Sequence, residues 1–322
     1  MRPWWALALL FGCGTPAPGP APAGKFVVTC LNVRDVDRGS GLAIVLQTPG
    51  GKTFLYDTGN GYPSKDRPGE WDGDYNCGRD DILPFLRQRG IVALDGVFIS
   101  HAHYDHFGGL LWLVDHFPIR KLYDCGYEYS GPDTGTSAGE LEQYSYLRSL
   151  FKKRRAYQQA LLGDRLELDA ALEIEVIAPP KQYFGVVAPE KRAKNDGPAH
   201  FLVNANSLML RIRHGSLVFL FPGDIQDIDQ REQLLPLVPA EKLKCHVLIA
   251  PGHGIHAVPE FAQAARPEVT ICSAIPKYAK VSPSPKIYGA VGSKVYLTGL
   301  HGRVTVTSDG ASYTATAERE PK

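Results

Sequence analysis

Short apolar runs separated by polar and glycine-rich stretches recur along the chain. Runs rich in β-branched residues predict strands in the first half at 25–31, 42–48, 53–56, 94–99 and 121–125. The second half continues the pattern, with predicted strands at 166–168, 172–177, 207–212, 217–221, 245–250, 269–274, 295–297 and 304–307. Apolar residues at helical spacing predict helices at 81–90, 110–117 and 259–265. Strands that alternate with helices indicate an α/β layered domain.

Two polar insertions interrupt this pattern. Residues 61–80 predict an irregular surface segment, and residues 126–163 combine several tyrosines with the basic run 152–155. Aromatic side chains interleaved with positive charge are typical of nucleic-acid surfaces, whereas Glu140 and Glu142 suit a solvated helix with internal charge pairs. The formal net charge of +1 favours the solvated helix and does not support nucleic acid as a partner. The second insertion is also a candidate wall of a substrate pocket.

The first 24 residues precede the predicted fold. Arg2 followed by the apolar run 4–11 is typical of a secretory signal and is too short to span a bilayer. Cys13 stands where bacterial lipoproteins are lipidated, although Phe11 departs from the small residue usual before it. We therefore expect a lipoprotein-type signal peptide over 1–13, a Pro-rich tether over 14–24 and a domain over 25–317. The protein is then exported and anchored to the membrane by its lipid, or is secreted or periplasmic if cleavage occurs without lipidation.

The chain has six cysteines and no Cys-x-x-Cys motif. Cys77 and Cys125 lie in polar, loop-like surroundings, which makes them the first candidates for a disulfide. Cys30, Cys245 and Cys272 lie in apolar runs, where we expect buried thiols.

The chemistry-bearing stretch is His101-Ala102-His103-Tyr104-Asp105-His106, which follows the strand predicted at 94–99 and precedes two glycines. Two histidines one residue apart point the same way from an extended backbone, so both can reach one metal ion. Asp105 and His106 come after the chain turns and can face a second ion. Imidazole and carboxylate ligands together suit zinc, manganese or iron. The sequence therefore predicts a metal site in a loop between a strand and a helix.

Polar residues follow other predicted strands as well. They are Asp57, the stretch 204–207, Asp224 and His253. Together with residues 101–106, which we call the metal motif, they make five loops that carry polar side chains at strand ends.

The chain resembles the metallo-β-lactamase fold superfamily, and within it the soluble hydrolase domain of ComEC-type competence proteins and their secreted stand-alone relatives. The resemblance spans Lys25 to about Ala317. It rests on Thr48-Pro49-Gly50-Gly51-Lys52, Asp57-Thr58-Gly59, Leu83-Pro84-Phe85-Leu86-Arg87, the metal motif with Phe107-Gly108-Gly109, Asn206-Ser207-Leu208, Gly223-Asp224-Ile225, Pro251-Gly252-His253-Gly254 and Thr305-Val306-Thr307-Ser308-Asp309-Gly310.

This resemblance implies an αββα sandwich of two mixed sheets flanked by helices, with a dinuclear centre at one edge. It implies two divalent ions, with zinc expected first and manganese or iron as alternatives. Motif positions assign His101 and His103 to the first ion, assign Asp105, His106 and His253 to the second, and make Asp224 the bridge. Asp57 is then expected to orient a ligand imidazole, with a simple strand-end turn as the alternative.

The chain departs from the ComEC-type pattern at two positions. Gly252 stands where the first of two adjacent histidines is usual, which leaves His253 as the ligand of that loop. Asn206 stands where the superfamily places a third histidine for the first ion, and His200 lies a little upstream as a substitute or as a loop histidine without that role.

The implied reaction is hydrolysis by a metal-bound hydroxide that Asp105 helps to orient, on a phosphodiester or related small phosphoryl substrate. One alternative is hydrolysis of a carboxylic ester, lactone or amide by the same two ions. The other is a surface lipoprotein with a degraded metal site that binds DNA or a wall component, and the complete metal motif argues against it.

Overall fold

The computed structural model describes residues 23–33, 40–64, 70–131, 139–192 and 197–320. The predicted signal peptide, Cys13 and all but the last two residues of the predicted tether lie outside these ranges.

The described part of the chain contains sixteen strands. They are β1 (Phe26–Cys30), β2 (Ala43–Gln47), β3 (Thr53–Thr58), β4 (Gly61–Pro63), β5 (Trp71–Asn76), β6 (Gly96–Phe98), β7 (Leu122–Asp124), β8 (Tyr157–Gln159), β9 (Leu172–Ala178), β10 (Met209–His214), β11 (Leu217–Phe221), β12 (Val247–Ile249), β13 (Val269–Cys272), β14 (Lys294–Leu297), β15 (Val304–Ser308) and β16 (Tyr313–Ala317).

Two large mixed sheets face each other across the main apolar core. The first sheet has the strand order β16-β15-β1-β2-β3-β6-β7-β8, and the second has the order β14-β13-β12-β11-β10-β9. Each combines antiparallel pairs with parallel ones, such as β3 with β6 and β11 with β12. Aromatic pairs join the facing sheets, with ring centroids 5.0 Å apart for Phe26 and Phe219 and 5.3 Å apart for Tyr56 and Phe221.

Helices cover the outer faces of both sheets. They are α1 (Leu83–Gln88), α2 (Tyr104–His116), α3 (Glu140–Lys153), α4 (Pro198–Ala205), α5 (Asp227–Asp229), α6 (Leu235–Leu237), α7 (Ala240–Leu243), α8 (Pro259–Ala265), α9 (Pro276–Ala279), α10 (Ser284–Gly289) and α11 (Thr298–His301). Helices α1, α2 and α3 pack on the first sheet, and α8 and α10 pack on the second. The predicted αββα sandwich is confirmed.

The metal motif is more helical than its pattern indicates. Helix α2 begins at Tyr104, so Asp105 and His106 lie in its first turn, where the sequence predicts a loop and a helix start at 110. An acidic residue in a first turn is stabilised by the helix dipole. Gly108 and Gly109 remain helical because they let α2 pack closely: a Cβ at Gly108 would overlap the backbone of Gly61, and one at Gly109 would overlap the carbonyl oxygen of Thr58.

Several other local predictions are wrong. Residues 61–80 contain the paired strands β4 and β5 instead of an irregular segment. Residues 166–168 form no strand, although Arg165 makes an isolated bridge to Glu175. The second insertion is not a fully solvated helix, because α3 buries Tyr144, Leu147 and Phe151 against the first sheet.

The predicted Cys77–Cys125 disulfide is also wrong. Within the described part of the chain neither cysteine forms a disulfide, and both side chains are buried. They lie on opposite faces of the first sheet, Cys77 in its outer core and Cys125 in the core between the sheets. Cys125 Sγ instead donates a hydrogen bond to the carbonyl oxygen of Asn206 at 3.2 Å. The remaining described cysteines are buried, as predicted.

Within the described ranges, the helices are too short or too polar to form a membrane span.

Candidate metal centre

The predicted ligands gather at one edge of the sandwich, where strands of both sheets end. Asp57 is the second-to-last residue of β3, and the metal motif follows β6. Asp224 follows β11 and His253 follows β12 in the other sheet. Residues more than one hundred positions apart in the sequence therefore meet because their strands end at the same edge.

Four of these side chains converge on one point. One ligand atom each from Asp105, His106, Asp224 and His253 lies within 4.8 Å of the others. His253 Nε2 is 3.2 Å from both Asp105 Oδ2 and Asp224 Oδ2. His106 Nε2 is 3.3 Å from Asp224 Oδ2, is buried and makes no hydrogen bond among the described residues. This donor set of two carboxylates and two imidazoles fits a divalent transition metal.

The opposite charges in this cluster shift the pKa values of its side chains. Burial alone would raise the pKa of Asp224, but the nearby His106 and His253 hold it well below its usual range. Burial alone would lower the pKa of His253, but Asp224 and Asp105 raise it to about 9. A cation that enters the cluster therefore replaces protons on the imidazoles.

Asp57 orients His106 from behind. Its fully buried carboxylate accepts hydrogen bonds from the Ser100 backbone N–H at 2.6 Å and from Ser100 Oγ at 2.7 Å. The same carboxylate lies 2.8 Å from His106 Nδ1, which turns Nε2 toward the cluster. Asp57 has φ of 58° and lies at a register shift between β2 and β3. This bulge aims the carboxylate at the site, which a simple strand-end turn does not require.

The loop that carries His253 depends on left-handed backbone. Gly252, His253 and Gly254 have φ of 54°, 56° and 82°. His253 Nδ1 lies 3.0 Å from the carbonyl oxygen of Ser273, so Nε2 faces Asp105 and Asp224. A Cβ at Gly252 would overlap the ring of His256. The space beside Gly252, where the first of two adjacent histidines is usual, is therefore occupied by the side chain of His256.

His101 and His103 form a pair beside this cluster. His101 Nε2 and His103 Nδ1 lie 3.1 Å apart, and both side chains are buried. Ser100 Oγ lies 2.9 Å from His101 Nδ1 and fixes the other edge of that ring. Burial and the neighbouring imidazoles lower the pKa of His101 well below its usual value and that of His103 to about 3. Both rings are therefore neutral, which is the form that binds metals.

Asn206 does not take the place of a third imidazole. Its side-chain oxygen accepts a hydrogen bond from Phe184 N at 2.8 Å, and its nitrogen donates to the carbonyl oxygens of Phe184 at 3.1 Å and Leu202 at 2.9 Å. The side chain therefore ties the loop at Phe184 to the C-terminal end of α4. Among the described residues, His101 and His103 belong to no cluster of three or more metal-ligating groups.

Two further residues lie beside His103. No role at the site is predicted for Glu140 from the sequence, whereas His200 is predicted to be a substitute third ligand or a loop histidine, and it lies in α4 instead of a loop. Glu140, at the start of α3, has Oε2 4.0 Å from His103 Nε2. The His200 ring, on α4, stacks on the His103 ring. The sequence carries no spacing signal for Glu140, because it belongs to the insertion and reaches the site only through packing of α3.

The comparisons with known proteins agree with this architecture. A family model described as the metallo-beta-lactamase superfamily matches residues 36–226. "ComE operon protein 3" of Bacillus subtilis (strain 168) is 25% identical over 257 residues, which cover 77% of this chain and 29% of that protein. "Competence protein ComA" of Neisseria gonorrhoeae is 24% identical over 307 residues, which cover 94% of this chain and 35% of that protein.

The chain thus spans about a third of the length of these curated relatives. Among solved structures, Zn²⁺-bound PqqB from Methylobacterium extorquens is 13% identical, with a TM-score of 0.47 and coverage of 87% of this chain and 99% of that one.

Proposed function

The chain belongs to the metallo-beta-lactamase superfamily, and we propose that it is an exported metal-dependent hydrolase of a phosphodiester or a related phosphoryl substrate. The observation that carries the proposal is the convergence of Asp105, His106, Asp224 and His253 within 4.8 Å. Such a donor set, held at the edge of this fold, supports hydrolysis over a binding role with a degraded site. Export is supported by the signal peptide predicted over 1–13.

We assign two divalent ions to the centre, zinc first, with manganese and iron as alternatives. His101 and His103 would hold one ion, Asp105, His106 and His253 the other, and Asp224 would lie between them. When bound, such ions lower the pKa of a coordinated water to near neutral and polarise a phosphoryl or acyl oxygen.

The protein's own groups set the protonation and direction of the ligands. Asp57 holds the proton on His106 Nδ1, and the Ser273 carbonyl oxygen accepts the proton of His253 Nδ1. Asp105 is the more exposed of the two carboxylates, with 27% of its side chain accessible against 13% for Asp224. We assign it the orientation of the attacking water.

The preference for a phosphoryl substrate follows the resemblance to the ComEC-type domain. Carboxylic esters, lactones and amides are the alternative, and DNA is a substrate of the proposed class that the net charge of +1 does not favour. A substrate panel separates these classes.

The test combines metal analysis with that panel. We expect about two ions per chain and turnover of bis-p-nitrophenyl phosphate, with Asp105→Ala slowed about a thousandfold by loss of the oriented water and a metal ligand. Asp115→Ala is the matched control, since Asp115 is exposed near the other end of the same helix. Equal rates for Asp105→Ala and wild type would refute a metal-dependent hydrolase. If only nitrocefin or lactones are hydrolysed, the substrate class is carbonyl compounds instead of phosphoryl compounds. Salt-dependent DNA binding without cleavage would favour the binding role.

A further inference from the structure

His103 presents its two ring nitrogens to different neighbours. Nδ1 faces His101 Nε2 at 3.1 Å, on the side where an ion would be held. Nε2 is buried and has no hydrogen-bond partner among the described residues, and Glu140 Oε2 lies 4.0 Å from it. An imidazole that binds a metal through one nitrogen carries a proton on the other, and that proton needs an acceptor. Glu140 is a carboxylate placed on the correct side.

The face of the same ring is covered by His200. The two ring centroids lie 4.7 Å apart, and the ring planes differ by 21°. The lone pairs of an imidazole lie in its ring plane, so nearly parallel stacked rings do not aim their nitrogens at one point. His200 Nε2 lies 3.4 Å from Asn204 Nδ2 on its own helix. This geometry suits a flat platform under His103 and does not suit a ligand.

Both neighbours lie on anchored elements. Helix α3 is tied to the first sheet by Arg148 and Tyr144, which donate to the buried carboxylate of Asp124 at 2.7 Å and 2.6 Å. The guanidinium of Arg192 packs over the ring of Phe201 on α4 and donates to Gln226 Oε1 at 2.6 Å. Because their supports are fixed, Glu140 and His200 can hold a neighbouring ring in place.

We propose that Glu140 and His200 are positioning residues for His103: the carboxylate orients its Nε2–H and the imidazole fixes its ring plane. The inference rests on the proposed function, since it takes His103 as a ligand. It assigns control of the affinity of one ion to two segments that lie outside the metal motif. Glu140 would do for His103 what Asp57 does for His106.

The test is a titration of metal-free protein with Zn²⁺ against a chromophoric chelator, for wild type, His200→Ala, His200→Phe and Glu140→Ala. In the alanine variants the affinity for the more weakly bound of the two ions should fall about 10- to 100-fold. The affinity for the more tightly bound ion should fall by less than about twofold. His200→Phe keeps a flat ring without a metal-binding nitrogen and should stay within about threefold of wild type. Glu142→Gln, an exposed charge on the same helix, and His116→Phe, a histidine stacked on Trp112 at 3.8 Å, are the matched controls and should match wild type.

The outcomes separate this inference from the proposed function. If His200→Phe and His200→Ala lose the same affinity for Zn²⁺, His200 is a metal ligand, and its proposed role in fixing the ring plane of His103 is wrong. Unchanged affinity in Glu140→Ala, or a wild type that binds one ion only, would also overturn the inference. If wild type binds two ions but hydrolyses no substrate on the panel, the proposed hydrolase function is refuted. The titration then still decides whether Glu140 and His200 position His103. Unchanged thermal midpoints would show that each variant folds.

Discussion

The two sides of the candidate metal centre are built from the same residue type in different surroundings. On the side of His106 and His253, each imidazole faces carboxylates, and its pKa is raised. On the side of His101 and His103, burial and neighbouring imidazoles lower the pKa. An ion bound on the first side would compete with protons, whereas an ion bound on the second side would meet neutral imidazoles.

The two sides also differ in what supports them. His106 and His253 are held by Asp57 and the Ser273 carbonyl oxygen, both at the ends of core strands and both within 3.0 Å. His103 is held by side chains from α3 and α4, outside the sheets. The first side is therefore supported by the sheets themselves, whereas the second side depends on helices outside the sheets.

The largest effect is expected where the two sides meet. Asp224→Ala removes the carboxylate that faces both His106 and His253 at 3.3 and 3.2 Å. We expect hydrolysis to fall more than about a thousandfold, because several kcal/mol of charge stabilisation are lost. Steady-state kinetics and metal content measure this, with Asp227→Ala, three residues on in α5, as the control. A variant that retains a tenth or more of the wild-type rate would contradict the assignment of Asp224.

A smaller effect is expected on the side of His101 and His103, which is supported by α3 and α4. Arg148→Ala leaves the buried carboxylate of Asp124 without its cation, which should cost about 3 kcal/mol of unfolding free energy. Since Arg148 anchors α3, affinity for the ion beside His103 should fall with it, and affinity for the other ion should not. Denaturant unfolding and the chelator titration measure both quantities.

Arg120→Ala is the control for that change. Its ion pair with Asp95 is exposed, so its loss should cost less than about 1 kcal/mol. If Arg148→Ala weakened both ions equally, the two sides would not be independent.

The smallest of the three effects is expected at the support of His106. Asp57→Asn keeps the shape of the side chain and replaces a carboxylate oxygen by an amide group at the contact with Ser100 or His106. Affinity for the ion beside His106 should fall about 10- to 100-fold, and affinity for the ion beside His103 should be nearly unchanged. Isothermal titration with Zn²⁺ checks this, and the reverse pattern would show that the supports are assigned to the wrong sides.

Periodicity in the sequence predicts most of the sandwich, because alternating and helical patterns are local. The strands from β1 to β3, β6, β7 and the strands from β9 to β15 lie where the pattern places them. The strand predicted at 166–168 does not form, and β8 and β16 are not predicted by the pattern. Strands β4 and β5 were missed because polar, glycine-rich residues form them against α2. Helix α2 starts six residues early because close packing on Gly61 outweighs the low helix propensity of two glycines.

The candidate site is predictable only in part. Asp57, Asp224 and His253 could be found because polar residues at the carboxyl ends of strands share an edge of the fold. The contacts of Glu140 and His200 with His103 could not be predicted, because they depend on how α3 and α4 pack. The wrong Cys77–Cys125 pairing has a similar cause, since local polarity does not reveal that a sheet separates the two thiols.

The close seating of α2 has a consequence for how mutational data on this protein should be interpreted. Gly108 and Gly109 offer no ligand atom, yet any side chain there would push away the helix that carries Asp105 and His106. A saturation screen scored only by growth or turnover would rank both glycines beside the proposed metal ligands and would overcount those ligands. Metal content per folded chain, measured alongside the screen, would distinguish a missing ligand from a displaced helix.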